Sequence, residues 1–228
     1  MRLTFITLFP NLVAPYFEDS ILKRAKESGL FEFETLNPRD YSADKWLKTD
    51  DSVTGGGAGM VMTPQPLFDT LSDLKRKAPK TRILFMTPCA KRFKAKDAKR
   101  LARFERVAFV CGRYEGFDER AIEVFADEVF SIGDFVLTGG ELPALMCADA
   151  ILRFVPNVLG NASSLGVESF ERDLLEAPVF TKPCVFRDQT TPSELLSGNH
   201  KAIAAFRARL ATLKTRYFRP DLLKQSDA

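Results

Sequence analysis

Apolar residues in the first two-thirds of this chain recur with two different periods, and the periods alternate. Short β-rich runs at Leu3–Phe9, Phe31–Leu36, Ile83–Thr87, Val107–Cys111 and Val129–Ile132 each predict a strand. Segments with a helical spacing of apolar positions, at Pro66–Lys77, Lys94–Phe104, Glu119–Phe125 and Glu141–Val155, predict helices between and after them. That alternation gives an α/β domain with a mainly parallel sheet. The pattern stops near Asn157. From there to Glu168 the chain is rich in Asn, Gly and Ser with little periodicity, which predicts a linker or an active-site loop. Pro178, Pro183 and Pro192 punctuate a short irregular stretch beyond it. A last helix is expected from Asn199 to Tyr217, where Ile203, Phe206, Leu210, Leu213 and Tyr217 form an apolar stripe. The stripe should pack on the rest of a small domain while the basic residues stay in water. The expected organisation is a domain over residues 1–156, a linker over 157–171 and a helical domain over 172–228.

Composition narrows the class. A chain of 228 residues with 45% hydrophobic and 28% charged residues has enough apolar material for a buried core and is neither disordered nor membrane-embedded. Its longest mostly apolar stretch, Leu142–Val155, is interrupted by Asp149 and Arg153 and is too short to cross a bilayer. Leu3–Phe9 runs straight into Pro10-Asn11 with no small-x-small cleavage site, so it reads as a buried strand rather than a signal core. Cys89, Cys111, Cys147 and Cys184 are scattered without a CxxC pair, and His200 is the only histidine. Neither a zinc site nor a disulfide framework is expected, and the cytoplasm is the expected compartment. The net charge of +3 hides an asymmetry: Lys91–Arg106 holds eight basic and two acidic residues, and Lys201–Lys224 holds seven and one. Each segment is therefore +6 and the remainder is −9. Two basic blocks on an acidic body suggest a polyanion partner such as nucleic acid, or else two solvated helix faces.

Three glycine-containing segments carry the candidate chemistry. Gly55-Gly56-Gly57-Ala58-Gly59-Met60 is no dinucleotide fingerprint, because Met60 stands where the third glycine is needed, and no GK[ST] follows any glycine loop. Four glycines in five residues mark either a backbone at positive φ or against a flat ligand, or a plain flexible turn. The second segment, Cys111-Gly112-Arg113-Tyr114-Glu115-Gly116-Phe117-Asp118-Glu119-Arg120, follows a predicted strand. Ligands of α/β folds gather at that end of strands. Glu115 could answer a cationic ligand there, and Asp118 or Glu119 could begin a helix. In the third, Ser131-Ile132-Gly133-Asp134-Phe135-Val136-Leu137-Thr138-Gly139-Gly140-Glu141-Leu142-Pro143, a strand enters a double-glycine bend and a helix starts. Such a bend offers bare backbone groups to a planar base.

These segments, with Leu8-Phe9-Pro10 before them and Leu196-Ser197-Gly198-Asn199-His200 after them, resemble the bacterial tRNA (guanine-N1)-methyltransferases of the SPOUT class from end to end. The resemblance implies a trefoil-knotted α/β domain that binds S-adenosylmethionine, a flexible linker, a helical C-terminal domain, and a homodimer holding tRNA with the active site at the subunit interface. It implies methylation of N1 of guanosine 37, next to the anticodon, with Mg²⁺ assistance possible although no carboxylate cluster marks an all-protein metal site. By position, the donor pocket falls on Met86, Thr87, Pro88, Gly112, Tyr114, Glu115, Ile132, Gly133, Asp134, Phe135, Val136, Leu137, Gly139, Gly140 and Pro143, and tRNA contacts on Gly56, Gly57, Ser164, Ser169, Asn199 and His200.

Methylating N1 needs a carboxylate to take its proton and a cation to stabilise charge on O6. By resemblance these roles fall to Glu168 and Arg153. The family usually has aspartate at the base position, and glutamate here changes the reach by one methylene. Other readings of the same residues stand beside this one. Asp149 and Arg153 lie four apart on one predicted helix and could form an intrahelical pair. Glu168 could be solvated surface, and His200 could sit in the first turn of the last helix as a cap or a tRNA contact. The alternatives at the level of function are a knotted methyltransferase acting on ribose 2′-OH or another base, and a non-catalytic RNA-binding protein.

Overall fold

A computed structural model of the chain describes residues 1–160, 166, 168–171 and 173–223. They divide into two compact units, Met1–Gly160 and Asn161–Ala228. In chain order, the first contains β1 (Arg2–Ile6), α1 (Ser20–Glu27), β2 (Glu32–Leu36), β3 (Asp50–Ser52), β4 (Met60–Met62), α2 (Pro64–Lys77), β5 (Arg82–Met86), α3 (Ala95–Leu101), β6 (Arg106–Cys111), α4 (Glu119–Phe125), β7 (Glu128–Phe130) and α5 (Glu141–Leu152). The second contains β8 (Val185–Phe186), β9 (Gln189–Thr190), α6 (His200–Phe218) and α7 (Pro220–Leu223).

All five long-range strands pair in parallel in the order β2-β1-β6-β5-β7. The inner strands are apolar on both faces because both faces are covered. Alternation along them sorts the side chains into two cores. Leu84, Met86, Val107, Phe109 and Cys111 meet α1, α3 and α5 on one side. Ile83, Phe85, Ala108 and Val110 meet Leu67, Leu71 and Leu74 of α2 and Ala121 of α4 on the other. The carboxyl ends of β5, β6 and β7 are thereby fixed side by side.

The structure extends the expected pattern at several points. Helix α1 was not expected from the hydrophobic pattern, because only Leu22 and Ala25 of its eight residues are buried. Its end carries a readable signal, however. Gly29, at φ +71°, closes the helix with Gly29 N–H to Lys26 O and Leu30 N–H to Ala25 O, the paired bonds of a Schellman motif. The Gly55–Gly59 run is the tip of an antiparallel β3–β4 hairpin, with positive φ at Gly55, Gly56, Gly57 and Gly59. Strand β7 stops at Phe130, two residues early, because Ser131 turns aside to bond Lys91 O and Phe93 N–H.

Helix α6 starts where expected, with Asn199 Oδ1 accepting from Ala202 N–H at 3.1 Å. Its packing corrects the expected stripe. Ile203, Phe206 and Leu210 are half-buried, but Leu213 and Tyr217 are exposed. The inward side at that end carries Thr215, fully buried. Its hydroxyl donates to Ala211 O at 2.7 Å and accepts from Leu175 N–H at 2.8 Å. A threonine satisfied in this way can be buried at little cost, so the buried side is rotated away from Leu213 and Tyr217.

Candidate functional site

At the carboxyl ends of β5, β6 and β7 the chain encloses an open cavity of about 250 Å³. Four segments line it: Met86–Cys89 after β5, Gly112 and Tyr114–Phe117 after β6, Ser131–Leu137 in part after β7, and Gly139, Gly140 and Pro143 at the start of α5. The packing demands glycine at two of these points. A Cβ on Gly140 would lie 2.7 Å from Gly112 N and 2.8 Å from Cys111 Cα, and one on Gly112 would lie 2.9 Å from the Phe117 ring. At this distance Gly140 N–H donates to Gly112 O at 2.8 Å, tying α5 to the end of β6. Tyr114 has a φ of +58°, which is strained for a residue with a side chain. The turn it makes carries Glu115 N–H to Met60 O at 2.8 Å and docks the β3–β4 hairpin beside the cavity.

The lining is largely apolar side chain and backbone, and among the described residues Glu115 is its only charged one. Phe135, Val136 and Leu137 are exposed on the loop that forms one wall. Three adjacent apolar residues left open to water beside a cavity suit a flat, partly apolar ligand. Backbone N–H and C=O groups at strand ends can read the edge of a base. Glu115 can answer a positive charge on the same ligand. Arg92 pairs with Asp134 across the foot of this loop, and that hydrogen bond and charge hold the Asp134 carboxyl below the usual range. Burial pushes the Cys111 thiol well up, so it stays protonated under the cavity.

Of the residues assigned to a donor pocket from the sequence, all line this cavity except Gly133 and Asp134. Gly133 instead packs under the Phe135 ring, which a Cβ there would meet at 2.4 Å. Gly116, where the sequence suggested a close backbone approach to a ligand, also lines the cavity, as do Cys89, Phe117 and Ser131, which were not singled out. Their positions next to the expected ones were the available signal. Gly56 and Gly57 sit exposed at the hairpin tip and do not line it; Gly59 does approach Glu115, whose Oε1 would be 2.5 Å from an added Cβ. Asp118 caps α4, accepting from Arg120 N–H at 3.1 Å.

Arg153 is the half-buried C-terminal cap of α5 in the first unit. Asp149, one turn before it, accepts a hydrogen bond from the Tyr16 hydroxyl, which raises that hydroxyl's pKa to about 12. Glu168 and Ser169 belong to the second unit, where both are half-buried and Ser169 Oγ accepts from Glu176 N–H at 3.1 Å. Asn199 is the cap of α6 and His200 its exposed first residue. Ser164 lies outside the described residues. Among the described residues no group of three or more His, Cys, Asp or Glu could hold a metal ion, and no helix is long and apolar enough to cross a membrane.

Comparison with known proteins bears on the whole chain. The family described as tRNA (Guanine-1)-methyltransferase TrmD matches residues 1–225. A tRNA (guanine-N(1)-)-methyltransferase of Sulfurimonas denitrificans is 59% identical over 223 residues, 98% of this chain and 96% of that protein. Proteins of the same name from Nitratiruptor sp. and Campylobacter curvus are 57% and 56% identical, covering 97% and 99% of this chain and 97% and 95% of their own lengths. With the match running from end to end at such identities, the chain belongs to the tRNA (guanine-1)-methyltransferase family.

Proposed function

We propose that this protein transfers the methyl group of S-adenosylmethionine to N1 of guanosine 37 in tRNA, with the donor held in the cavity at the ends of β5, β6 and β7. The observation that carries the reading is the cavity itself: glycine-fixed backbone, an exposed apolar wall and the Glu115 carboxylate. These suit the base, ribose and cationic end of such a donor. The donor supplies a methyl group already activated on a sulfonium.

The remaining chemistry falls to the chain. The Glu168 carboxylate takes the N1 proton, and the freed N1 electron pair forms the new bond to the methyl carbon while the carbon–sulfur pair returns to sulfur. Charge drained onto O6 is stabilised by the Arg153 guanidinium, and no covalent enzyme species is required. Asn199, His200 and Ser169 contact the tRNA, and the basic face of α6 follows its phosphates. Two chains form a homodimer, which the exposed Leu142 and Met146, one turn apart on α5, support. The all-parallel order β2-β1-β6-β5-β7, with the chain after β7 returning to the end of β6, supports a trefoil-knotted path in the first unit. The four thiols are free, which agrees with a reducing cytoplasm.

The test is incubation of the protein with labelled S-adenosylmethionine and unmodified tRNA, followed by nucleoside analysis. N1-methylguanosine at the position after the anticodon is expected. A 2′-O-methylnucleoside, a different base or no transfer would each overturn the reading.

A further inference from the structure

Behind the cavity lies a buried polar network that none of the chemistry above uses. Glu141 opens α5 with only 3% of its side chain exposed, and Arg113 beside it has 16%. Glu141 Oε1 accepts from Thr7 Oγ1 at 2.6 Å and from Arg113 Nε at 3.2 Å. Arg113 Nη2 stands 2.9 Å from Oε2 but off the hydrogen-bonding line, so that oxygen has an opposite charge and no aligned donor. The other end of the guanidinium donates from Nη1 to Thr138 O at 3.1 Å, and its face covers the Phe9 ring at 4.4 Å. One carboxylate thus joins the end of β1, the end of β6, the loop after β7 and the first turn of α5.

The position of this network is informative. Glu141, Arg113 and Thr138 do not line the cavity, but the residues flanking them do: Gly112, Tyr114, Leu137, Gly139 and Gly140. Gly139 is pressed against the ion pair, since a Cβ there would meet Arg113 Nε at 2.5 Å and Glu141 Oε2 at 2.7 Å. A buried ion pair is a poor source of stability, and an apolar pair of similar volume usually serves a core as well. Directional bonds, by contrast, can fix the orientation of one carbonyl and of the peptides next to it. The helix N-terminus also favours a carboxylate at Glu141.

We propose that Glu141 is a positioning residue for donor binding: it orients Arg113, which holds the Thr138 carbonyl and so sets the Leu137–Gly140 backbone in the shape the donor requires. This rests on the reading of the cavity as the donor site. Glu141 touches neither donor nor tRNA in this arrangement. Its loss therefore acts on donor affinity and leaves tRNA affinity and turnover at saturating donor largely intact.

Calorimetric titration of S-adenosylmethionine into wild type, Glu141→Gln, Arg113→Met and the double variant tests it, alongside melting curves, tRNA binding and kcat. Each single variant should weaken donor binding about tenfold or more, and the double should be no worse than about threefold beyond the weaker single, because both act through one contact. tRNA affinity and saturating kcat should stay within about threefold. The double variant keeps the test open if a single variant fails to fold, since it removes both charges together and leaves neither buried without its partner. Unchanged donor affinity in a folded variant would overturn the proposal. So would donor affinity, tRNA affinity and kcat all falling together with the melting temperature. Gly140→Val separates this from the cavity reading: if that variant binds donor normally, the cavity is not the donor site. If it loses donor while folded Glu141→Gln keeps it, only the positioning role fails.

Discussion

Lys91–Arg106 and Lys201–Lys224 carry the same net charge of +6, yet the fold treats the two segments differently. In the first, Arg100 reaches Glu128 at 2.6 Å and Asp97 at 3.3 Å, Lys91 reaches Glu128 at 3.4 Å, and Arg92 pairs with Asp134. Glu128 comes from β7 and is 11% exposed, so Arg100 and Lys91 hold α3 and the loop after β5 onto the sheet. In the second segment Lys201, Arg207 and Arg209 are exposed on α6, and among the described residues no ion pair engages them. Charge that is already paired in a fold has little left for a phosphate; charge standing free on a helix is available to one. Counting basic residues along a chain does not separate the two cases. The acids that distant elements bring to them do.

The largest effects should fall on the two groups proposed to act in the chemistry rather than through either basic segment. Arg153→Ala and Glu168→Gln should each lower methyl transfer by roughly 10²-fold or more while donor affinity and the salt dependence of tRNA binding stay as in wild type. Single-turnover rates and donor titrations measure this; lost donor binding would show that the residue belongs to the cavity instead. Next comes Arg207, Arg209 and Lys214 replaced together by Gln. The slope of log affinity for tRNA against log salt should flatten by about 2 to 3, with donor affinity unchanged. An unaltered slope would place α6 in the same class as α3.

Arg100→Gln should do the opposite. It removes a partner of Glu128 and should lower the melting temperature by about 2–4 °C without flattening the salt slope. A flattened slope with an unchanged melting temperature would break the comparison. The smallest effect concerns Tyr16, whose hydroxyl bonds Asp149 and whose pKa is raised to about 12. A raised value means that its stabilisation is complete below about pH 10, where the unfolded tyrosine titrates, and fades as pH climbs towards 12. Wild type should therefore lose stability relative to Tyr16→Phe over that window. Spectroscopic titration should show two of the four tyrosines ionising late, Tyr16 and Tyr41, the latter raised by burial and its hydrogen bond to Asp73. Tyr16→Phe should remove one of the two.

Much of the cavity was legible because its residues are contiguous in short segments. Gly112 and Glu115 follow one apolar run, so the strand pattern placed them at a strand end, while Tyr114, Gly139, Gly140 and Pro143 were assigned to the pocket through the family resemblance. Cys89, Phe117 and Ser131 escaped because nothing in their types marks them; they line the cavity through where the backbone turns. The β3–β4 hairpin escaped for another reason. Its strands have three residues each, too few to show a period of two.

Local patterning by itself determined the alternation of strands and helices, the parallel sheet, the cap at Asn199 and the glycine bends, because each depends on residues a few positions apart. Tertiary structure alone decided that Thr7, Arg113 and Glu141 share one buried site, that Glu128 absorbs the charge of Lys91 and Arg100, and that Thr215 rather than Tyr217 turns inward on α6. Thr7 and Glu141 are separated by 134 positions. No local period encodes that distance; only the order in which the parallel strands lie side by side brings the two together.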